Sequence, residues 1–359
     1  MLHTLHIIGS KSLGGAERWF LRFTETLAEI GSTTSVIVRR DSALAALDWG
    51  LREMTPLPLR TVWDPMSKRE VASEVARIRP DLVQTYMGRA TRLTRLQAPN
   101  RPIHVARLGG YYKLSGYRHA DAWVGNTLGI CDYLLAHGFP KERVFHIYNF
   151  VEPPRLRASN AVAALRRAMG IPGDAWVVMT PGRFVEFKGH SVLLSALARL
   201  RQPISERPVW LVLLGDGPLG GQLYAQARQL GIDDRVVWTG WIQEPGPYYQ
   251  FADLVVVPSL EREPFGNVVI EAWSYQKPLV TTAFRGALEF TADGEDVLRV
   301  PCGDDQALAR GIRQVLEDRD FAQSLANAGL ARASRDFSIN SVMTRYLELY
   351  KTLLEHGRA

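Results

Sequence analysis

The chain has 359 residues, 46% hydrophobic and 22% charged, with a net charge of +6 and two cysteines, Cys131 and Cys302. That length fits two domains of moderate size with a cleft between them. The composition excludes wholesale disorder, and two thiols exclude a disulfide framework.

Short apolar runs alternate with longer amphipathic stretches, beginning with a strand at 2–8, a helix at 16–30 and a strand at 34–38. This is the rhythm of a parallel sheet with crossover helices. Residues 1–10 lack a basic stretch ahead of a long apolar core, so they read as the first strand rather than a secretion signal. The most apolar interior run, 209–214, is far shorter than the roughly 20 residues a bilayer span needs. A cytoplasmic protein is expected, touching a membrane at most peripherally at its inner face.

After the first strand comes Gly9-Ser10-Lys11-Ser12-Leu13-Gly14-Gly15-Ala16-Glu17. Its glycines let backbone amides approach a phosphate, although a plain strand-to-helix turn explains them equally well. The loop has neither P-loop spacing nor the G-x-G-x-x-G dinucleotide fingerprint, and Val38 is followed by Arg39 and Arg40 rather than a ribose-binding acid. Further strands are expected at 82–85, 103–106, 122–124 and 144–147.

The basic character belongs to this half. Residues 1–150 carry 20 Lys and Arg against 13 Asp and Glu, the remainder 23 against 24. Between Asp81 and Asp121 no acid interrupts Arg89, Arg92, Arg95, Arg101, Arg107, Lys113 and Arg118. Such a field is either a solvated face or the attraction for an anionic partner, an acidic acceptor or an anionic membrane surface. No nucleic-acid module accompanies it, so nucleic acid is not an expected partner.

Residues 149–159, with Pro153 and Pro154 adjacent, read as a linker. The expected domains are 1–152 and 160–338, followed by a helix at 339–359 that returns across the junction. In the second half strands are expected at 175–180, 209–214, 235–238, 254–257, 279–281 and 297–300, with helices such as 191–201 between them. Ligands of open parallel sheets bind beyond the carboxyl ends of the strands, so the chemistry is expected in the loops there.

The loop of residues 180–190 carries Arg183 and Lys188, five apart, beside Gly182 and Gly189. Both can reach a diphosphate, Arg183 as a planar fork and Lys188 as a point charge, although loop cations are often only solvated. Gly215-Asp216-Gly217-Pro218 reads as a tight turn rather than half of a metal-binding pair. The run 238–242, ending in Trp241-Ile242, either lines a base pocket or packs into the core.

The most informative stretch is Glu263-Pro264-Phe265-Gly266-Asn267-Val268-Val269-Ile270-Glu271. A strand runs into a polar loop, and Gly266 opens a helix whose free amides face whatever the loop encloses. Glu263 in the loop and Glu271 about one turn into the helix can face one pocket and accept hydrogen bonds from sugar hydroxyls.

Glu263 followed by Glu271 resembles the E-x7-E signature of family 4 retaining glycosyltransferases, enzymes of the GT-B fold with two Rossmann-like doubly wound α/β domains facing across a cleft. The Gly14-Gly15 loop, the Gly182-Arg183 and Lys188-Gly189 pairs, the Gly215–Pro218 turn and the Glu263–Glu271 block occur in family order. The resemblance implies that Arg183 and Lys188 bind the donor diphosphate and stabilise the leaving group. It places Glu263 at the transferred sugar and Glu271 on the donor ribose. Phe265, Gly266, Asn267 and Val268 offer donor contacts, Ile242 borders the base, and Gly14 and Gly15 close over the diphosphate.

The implied reaction transfers a sugar from a nucleotide-diphosphate-sugar to a glycan or lipid-linked acceptor, with retention and without a metal or cofactor, in lipopolysaccharide or other cell-surface polysaccharide synthesis. One departure stands out: the place where many members carry an active-site His reads Arg107-Leu108-Gly109-Gly110-Tyr111-Tyr112-Lys113. His104 falls too early and His119 too late, so Arg107, Tyr111 and Lys113 are the expected acceptor-side residues. A non-catalytic sugar-nucleotide binder, or an epimerase or phosphorylase-like enzyme on the same scaffold, is the alternative. A dehydrogenase is disfavoured by the missing glycine fingerprint.

Overall fold

The computed structural model describes residues 2–50, 52–97 and 100–357. The chain divides into two units, one comprising the residues up to Asn149 together with those from Asn340 onward, the other Phe150–Ile339.

The first unit is built in the order β1 (His3–Ile8), α1 (Gly15–Glu29), β2 (Thr33–Arg39), β3 (Glu53–Leu57), α2 (Pro65–Ile78), β4 (Leu82–Tyr86), α3 (Met87–Leu93), β5 (Ile103–Leu108), β6 (Ala122–Gly125), α4 (Leu128–Ala136) and β7 (Val144–His146). Its strands form one parallel sheet ordered β3-β2-β1-β4-β5-β6-β7. The central strands β4 and β5 are buried throughout and β2 is buried from Thr34 onward, as covering on both faces demands. Leu5, Ile7, Ile37 and Val83 pack with Val71 and Val75 of α2 and with Ala90 and Leu93 of α3. The sequence pattern did not reveal β3, because it is a half-exposed edge strand carrying Pro56, a residue that only an edge tolerates.

The second unit follows as α5 (Ser159–Ala168), β8 (Trp176–Pro181), α6 (His190–Arg199), β9 (Val209–Leu214), α7 (Gly220–Gln229), β10 (Val236–Trp238), α8 (Gly246–Phe251), β11 (Leu254–Val257), α9 (Asn267–Ser274), β12 (Leu279–Thr282), α10 (Arg285–Phe290), β13 (Leu298–Val300), α11 (Asp305–Glu317) and α12 (Arg319–Asp336). Its parallel sheet is ordered β10-β9-β8-β11-β12-β13. The order reverses between β8 and β11, which makes the carboxyl ends of these two strands the switch point of the sheet, where ligands of open parallel sheets bind.

The last helix, α13 (Ile339–His356), buries Tyr346, Tyr350 and Leu353 in the first unit. Tyr350 Oη donates to Gln84 Oε1 at 2.8 Å, Gln84 Nε2 donates to Tyr86 Oη at 2.6 Å, and the Tyr86 hydroxyl meets His6 Nδ1 at 3.0 Å. Among the described residues, no helix is long and apolar enough to cross a membrane.

Candidate functional site

The reversal between β8 and β11 assembles the site of the second unit. The 182–189 loop after β8 and the 258–266 loop after β11 touch backbone to backbone: Leu260 N donates to Phe187 O at 2.7 Å. A Cβ on Gly189, whose φ is +68°, would collide with Pro258 O, so only glycine lets the loops approach this closely. From the other side the turn at Asp216 buttresses the first loop. Phe184 N donates to Asp216 O at 2.9 Å, and Leu219 N donates to Phe184 O at 3.1 Å. The Asp216 carboxylate accepts from Gly217 N at 2.6 Å, a bond within its own turn.

On this frame Lys188 Nζ and Glu263 Oε2 lie 2.7 Å apart, with side chains 19% and 8% exposed. Ser259 Oγ donates to the same carboxylate oxygen at 3.4 Å. Arg183 stands on the same loop with an exposed side chain and makes no ion pair among the described residues. The site thus holds an unpaired guanidinium beside an ammonium whose partner is a nearly buried carboxylate.

Past Glu263 the backbone turns at Gly266, φ +83°, where an added Cβ would sit 2.6 Å from Phe284 Cζ. Phe265 is buried and stacks on Phe290 with ring centroids 4.9 Å apart, leaving only its backbone to face a ligand. Asn267 and Val268, both half-buried, form the first turn of α9. One turn further on, Glu271 Oε2 accepts from the Tyr249 hydroxyl at 2.9 Å. The Tyr249 ring is buried and stacks on Tyr275 with centroids 4.9 Å apart and planes 9° from parallel. Trp241 is exposed and Ile242 half-buried after β10, whereas Trp238 packs on Tyr224 at 4.0 Å.

His190 opens α6 beneath the Arg183 loop. Its ring lies edge-on to Phe184 at 4.9 Å, and both ring nitrogens are buried without a partner. Burial and then the Lys188 charge hold the imidazole down to about 4, so it is neutral at physiological pH. Sequence reading assigned no role to Tyr249 or His190. Tyr249 lies 22 residues from its partner in a run that reads as core aromatics.

In the first unit Gly14 and Gly15 are exposed at the start of α1. Gly14 N donates to Glu17 Oε2 at 2.8 Å, and the buried Glu17 carboxylate closes over Gly14 so tightly that an added Cβ would lie 2.9 Å from it. Of the acceptor-side residues expected, Arg107 is turned inward and only 5% exposed. Its guanidinium stacks 3.7 Å from the Trp19 ring centroid, donates from Nε to Tyr346 Oη at 3.1 Å, and donates from Nη2 to Asn149 Oδ1. Lys113 is exposed, and Tyr111 is half-buried with its ring edge-on to Tyr133 at 5.4 Å. His104 is buried against Thr85 Oγ1 at 2.9 Å, and His119 meets the carbonyls of Thr91 and Thr94 at 2.9 Å. Among the described residues, no group of His, Cys, Asp and Glu is arranged to hold a metal ion.

Comparison with known proteins gives consistent matches. Residues 162–332 match the family model described as glycosyl transferases group 1. The chain is 35% identical over 347 residues to the lipopolysaccharide core biosynthesis glycosyltransferase LpsE of Rhizobium meliloti, covering 94% of this chain and 95% of that protein. It is 29% identical over 340 residues to LpsD of the same organism, with the same coverage of each. Among solved structures, HepE from Anabaena in complex with UDP-glucose superposes with a TM-score of 0.83 at 22% identity, over 98% of this chain and 99% of that one. That likeness shows the fold, two doubly wound units of the GT-B type.

Proposed function

The chain belongs to the group 1 glycosyl transferases and is a glycosyltransferase, and from that premise we propose that it is a family 4, retaining, metal-independent enzyme. It moves a hexosyl group from a nucleotide-diphosphate-sugar to a glycan or lipid-linked acceptor, in the synthesis of lipopolysaccharide or a related cell-surface polysaccharide. The observation that carries the donor side is the Lys188–Glu263 pair at 2.7 Å beside the exposed Arg183, placed where β8 and β11 part.

In this reading the bond between the anomeric carbon and the diphosphate oxygen breaks as the acceptor hydroxyl attacks the same face. The acceptor proton passes to a donor phosphate oxygen, and the nucleoside diphosphate departs. Charge develops on that leaving group, and Lys188, held in advance by Glu263, together with Arg183 on the same loop neutralises it. Glu263 holds the Lys188 ammonium in place and accepts from a hydroxyl of the transferred sugar. Glu271, E-x7-E partner of Glu263, accepts from the ribose hydroxyls. Backbone groups of Phe265, Gly266, Asn267 and Val268 line the donor, and Ile242 borders its base. Tyr111 and Lys113 are the acceptor-side candidates; Arg107 is already committed to Trp19, Tyr346 and Asn149.

The names of LpsE and LpsD support a lipopolysaccharide acceptor, and the UDP-glucose in HepE supports a nucleotide-sugar donor. The basic N-terminal half supports an anionic acceptor and peripheral contact with the inner face of a membrane. A panel of nucleotide sugars tests the donor assignment. Slow hydrolysis or transfer should survive a chelator and collapse in Arg183→Ala and Glu263→Ala. Turnover that ignored both substitutions would refute the site, and binding without turnover on any acceptor would mark a non-catalytic binder.

A further inference from the structure

In the first unit the 58–64 segment leaves the edge strand β3 and enters α2 under tight restraint. Leu59, buried and at φ +41°, anchors it to the core. Arg89 Nη1 donates to Leu59 O at 2.8 Å and also to Arg60 O, and Arg60 N donates to Ser67 Oγ at 3.4 Å. Asp64 caps α2, accepting from Met66 N at 3.1 Å and from Ser67 Oγ at 2.6 Å. Within this rigid turn Trp63 is 80% exposed and Met66 58% exposed.

A large apolar residue just before a helix cap normally packs on the fourth residue of the helix, completing a hydrophobic staple. Here that fourth residue is Lys68, and the Trp63 ring stands in solvent instead. Among the described residues no hydrogen bond or ring contact engages this indole, while the backbone on either side of it is pinned by Arg89 and by the Asp64 cap. Around it are cations: Arg60 and Arg69 are exposed, Lys68 is half-buried, and none of the three makes an ion pair among the described residues. Arg40, also exposed, roots at the same edge through its amide bond to Leu57 O at 2.8 Å. The neighbouring acids are Asp64, whose carboxylate is occupied by the cap, the half-buried Glu70, and Asp41 beside Arg40, which is paired with Lys11 and Arg39.

We propose that Trp63 and Met66 are the insertion point of this protein on an anionic lipid bilayer, with Arg40, Arg60, Lys68 and Arg69 meeting the headgroups. The proposal names the surface for the peripheral membrane contact described above and rests on that reading. Two projecting apolar side chains ringed by long cations are too small an apolar area for a protein groove, which wants a contiguous patch. They suit a bilayer interface, where an indole settles at the headgroup boundary and guanidinium and ammonium groups bind lipid phosphates.

The test uses the full chain with phosphatidylglycerol-containing and pure phosphatidylcholine vesicles, and with lipids brominated on the acyl chain. The wild type should cosediment with the anionic vesicles and weaken as salt rises. Trp63→Ala with Met66→Ser should weaken binding on the order of tenfold, with donor hydrolysis unchanged as evidence of folding. Brominated lipid should quench wild-type tryptophan fluorescence more than that of Trp63→Phe, a variant that still binds. Anionic binding that survives the double substitution, or quenching equal in Trp63→Phe, would overturn the insertion point alone. A wild type that ignores anionic vesicles would overturn the membrane reading as well.

Discussion

Tyr249 donates its hydroxyl proton to Oε2 of Glu271 across 2.9 Å, from a ring clamped face to face against Tyr275. The bond fixes the carboxylate that the donor assignment places on the ribose. Tyr249→Phe removes one oxygen and leaves the stack. It should raise the donor KM several-fold, on the order of 1 kcal/mol for one hydrogen bond to a charged group, with kcat nearly unchanged. Glu271→Gln should do more, and both variants should discriminate less against a 2′-deoxyribose donor. Steady-state kinetics with the two donors checks this.

The Lys188–Glu263 pair should behave as one device. Lys188→Ala leaves a nearly buried carboxylate unpaired and should lower stability by about 2–4 kcal/mol, with turnover falling on the order of 10²–10³-fold. Adding Glu263→Ala to Lys188→Ala should restore part of the stability and none of the turnover. A double-mutant cycle in melting temperature and in kcat separates the two effects.

Gly189→Ala should be among the most damaging single-methyl additions in the chain. The new Cβ meets Pro258 O in a backbone conformation with φ +68°, so the loops carrying Lys188 and Glu263 must separate. A loss of about 2–3 kcal/mol is expected, together with loss of donor binding measured by calorimetry. Gly221→Ala, where nothing lies within 4 Å, is the control and should be nearly silent.

Arg107→Ala should act on stability rather than on acceptor affinity. The substitution leaves the buried Tyr346 hydroxyl without its donor, leaves Asn149 Oδ1 with the weaker bond from Asn126 Nδ2 at 3.4 Å, and strips the cation from Trp19. Unfolding should be easier by about 3 kcal/mol, and hydrogen exchange in α13 should accelerate. Lys113→Ala, by contrast, should raise the acceptor KM and leave exchange unaltered.

Acid should destabilise the fold before its carboxylates matter. Burial lowers His6 and His104 to about 3, and His119, His146 and His190 to about 4, from an ordinary value of 6.5. The unfolded chain therefore binds more protons than the folded one between about pH 6.5 and 3. This stability is fully present above 6.5 and is lost as pH falls through that window, each histidine contributing up to about 1.4 kcal/mol per pH unit. Melting temperature against pH in wild type and in His190→Leu checks the slope, which should be shallower in the variant.

The loop cluster that brings Lys188 to Glu263 is legible in the sequence as strand-end loops. Paired glycines and cations after an apolar run, and two acids flanking a glycine at a helix start, mark loops at strand ends by local chemistry alone. The runs 209–214 and 254–257 coincide with β9 and β11, because buried parallel strands are continuous apolar segments. Strand β3 escaped because Glu53 and Pro56 hide an edge strand. Tyr249 escaped because a buried tyrosine looks like core until its hydroxyl is seen to meet Glu271. Arg107, expected at the acceptor side, is instead buried, since no local pattern reports the stacking of Trp19 or the bond to Tyr346, which arrives 239 residues later.

That late arrival orders events on the ribosome. Tyr346 and Tyr350 close the face of the first sheet around Phe23, Gln84 and Tyr86, yet they are translated after the whole of the second unit. The second unit, contiguous in sequence, has all its strands in hand while the first still lacks its final helix. The half encoded first is thus completed last. A chain truncated after Ile339 should carry a finished second unit and an open, protease-sensitive first one.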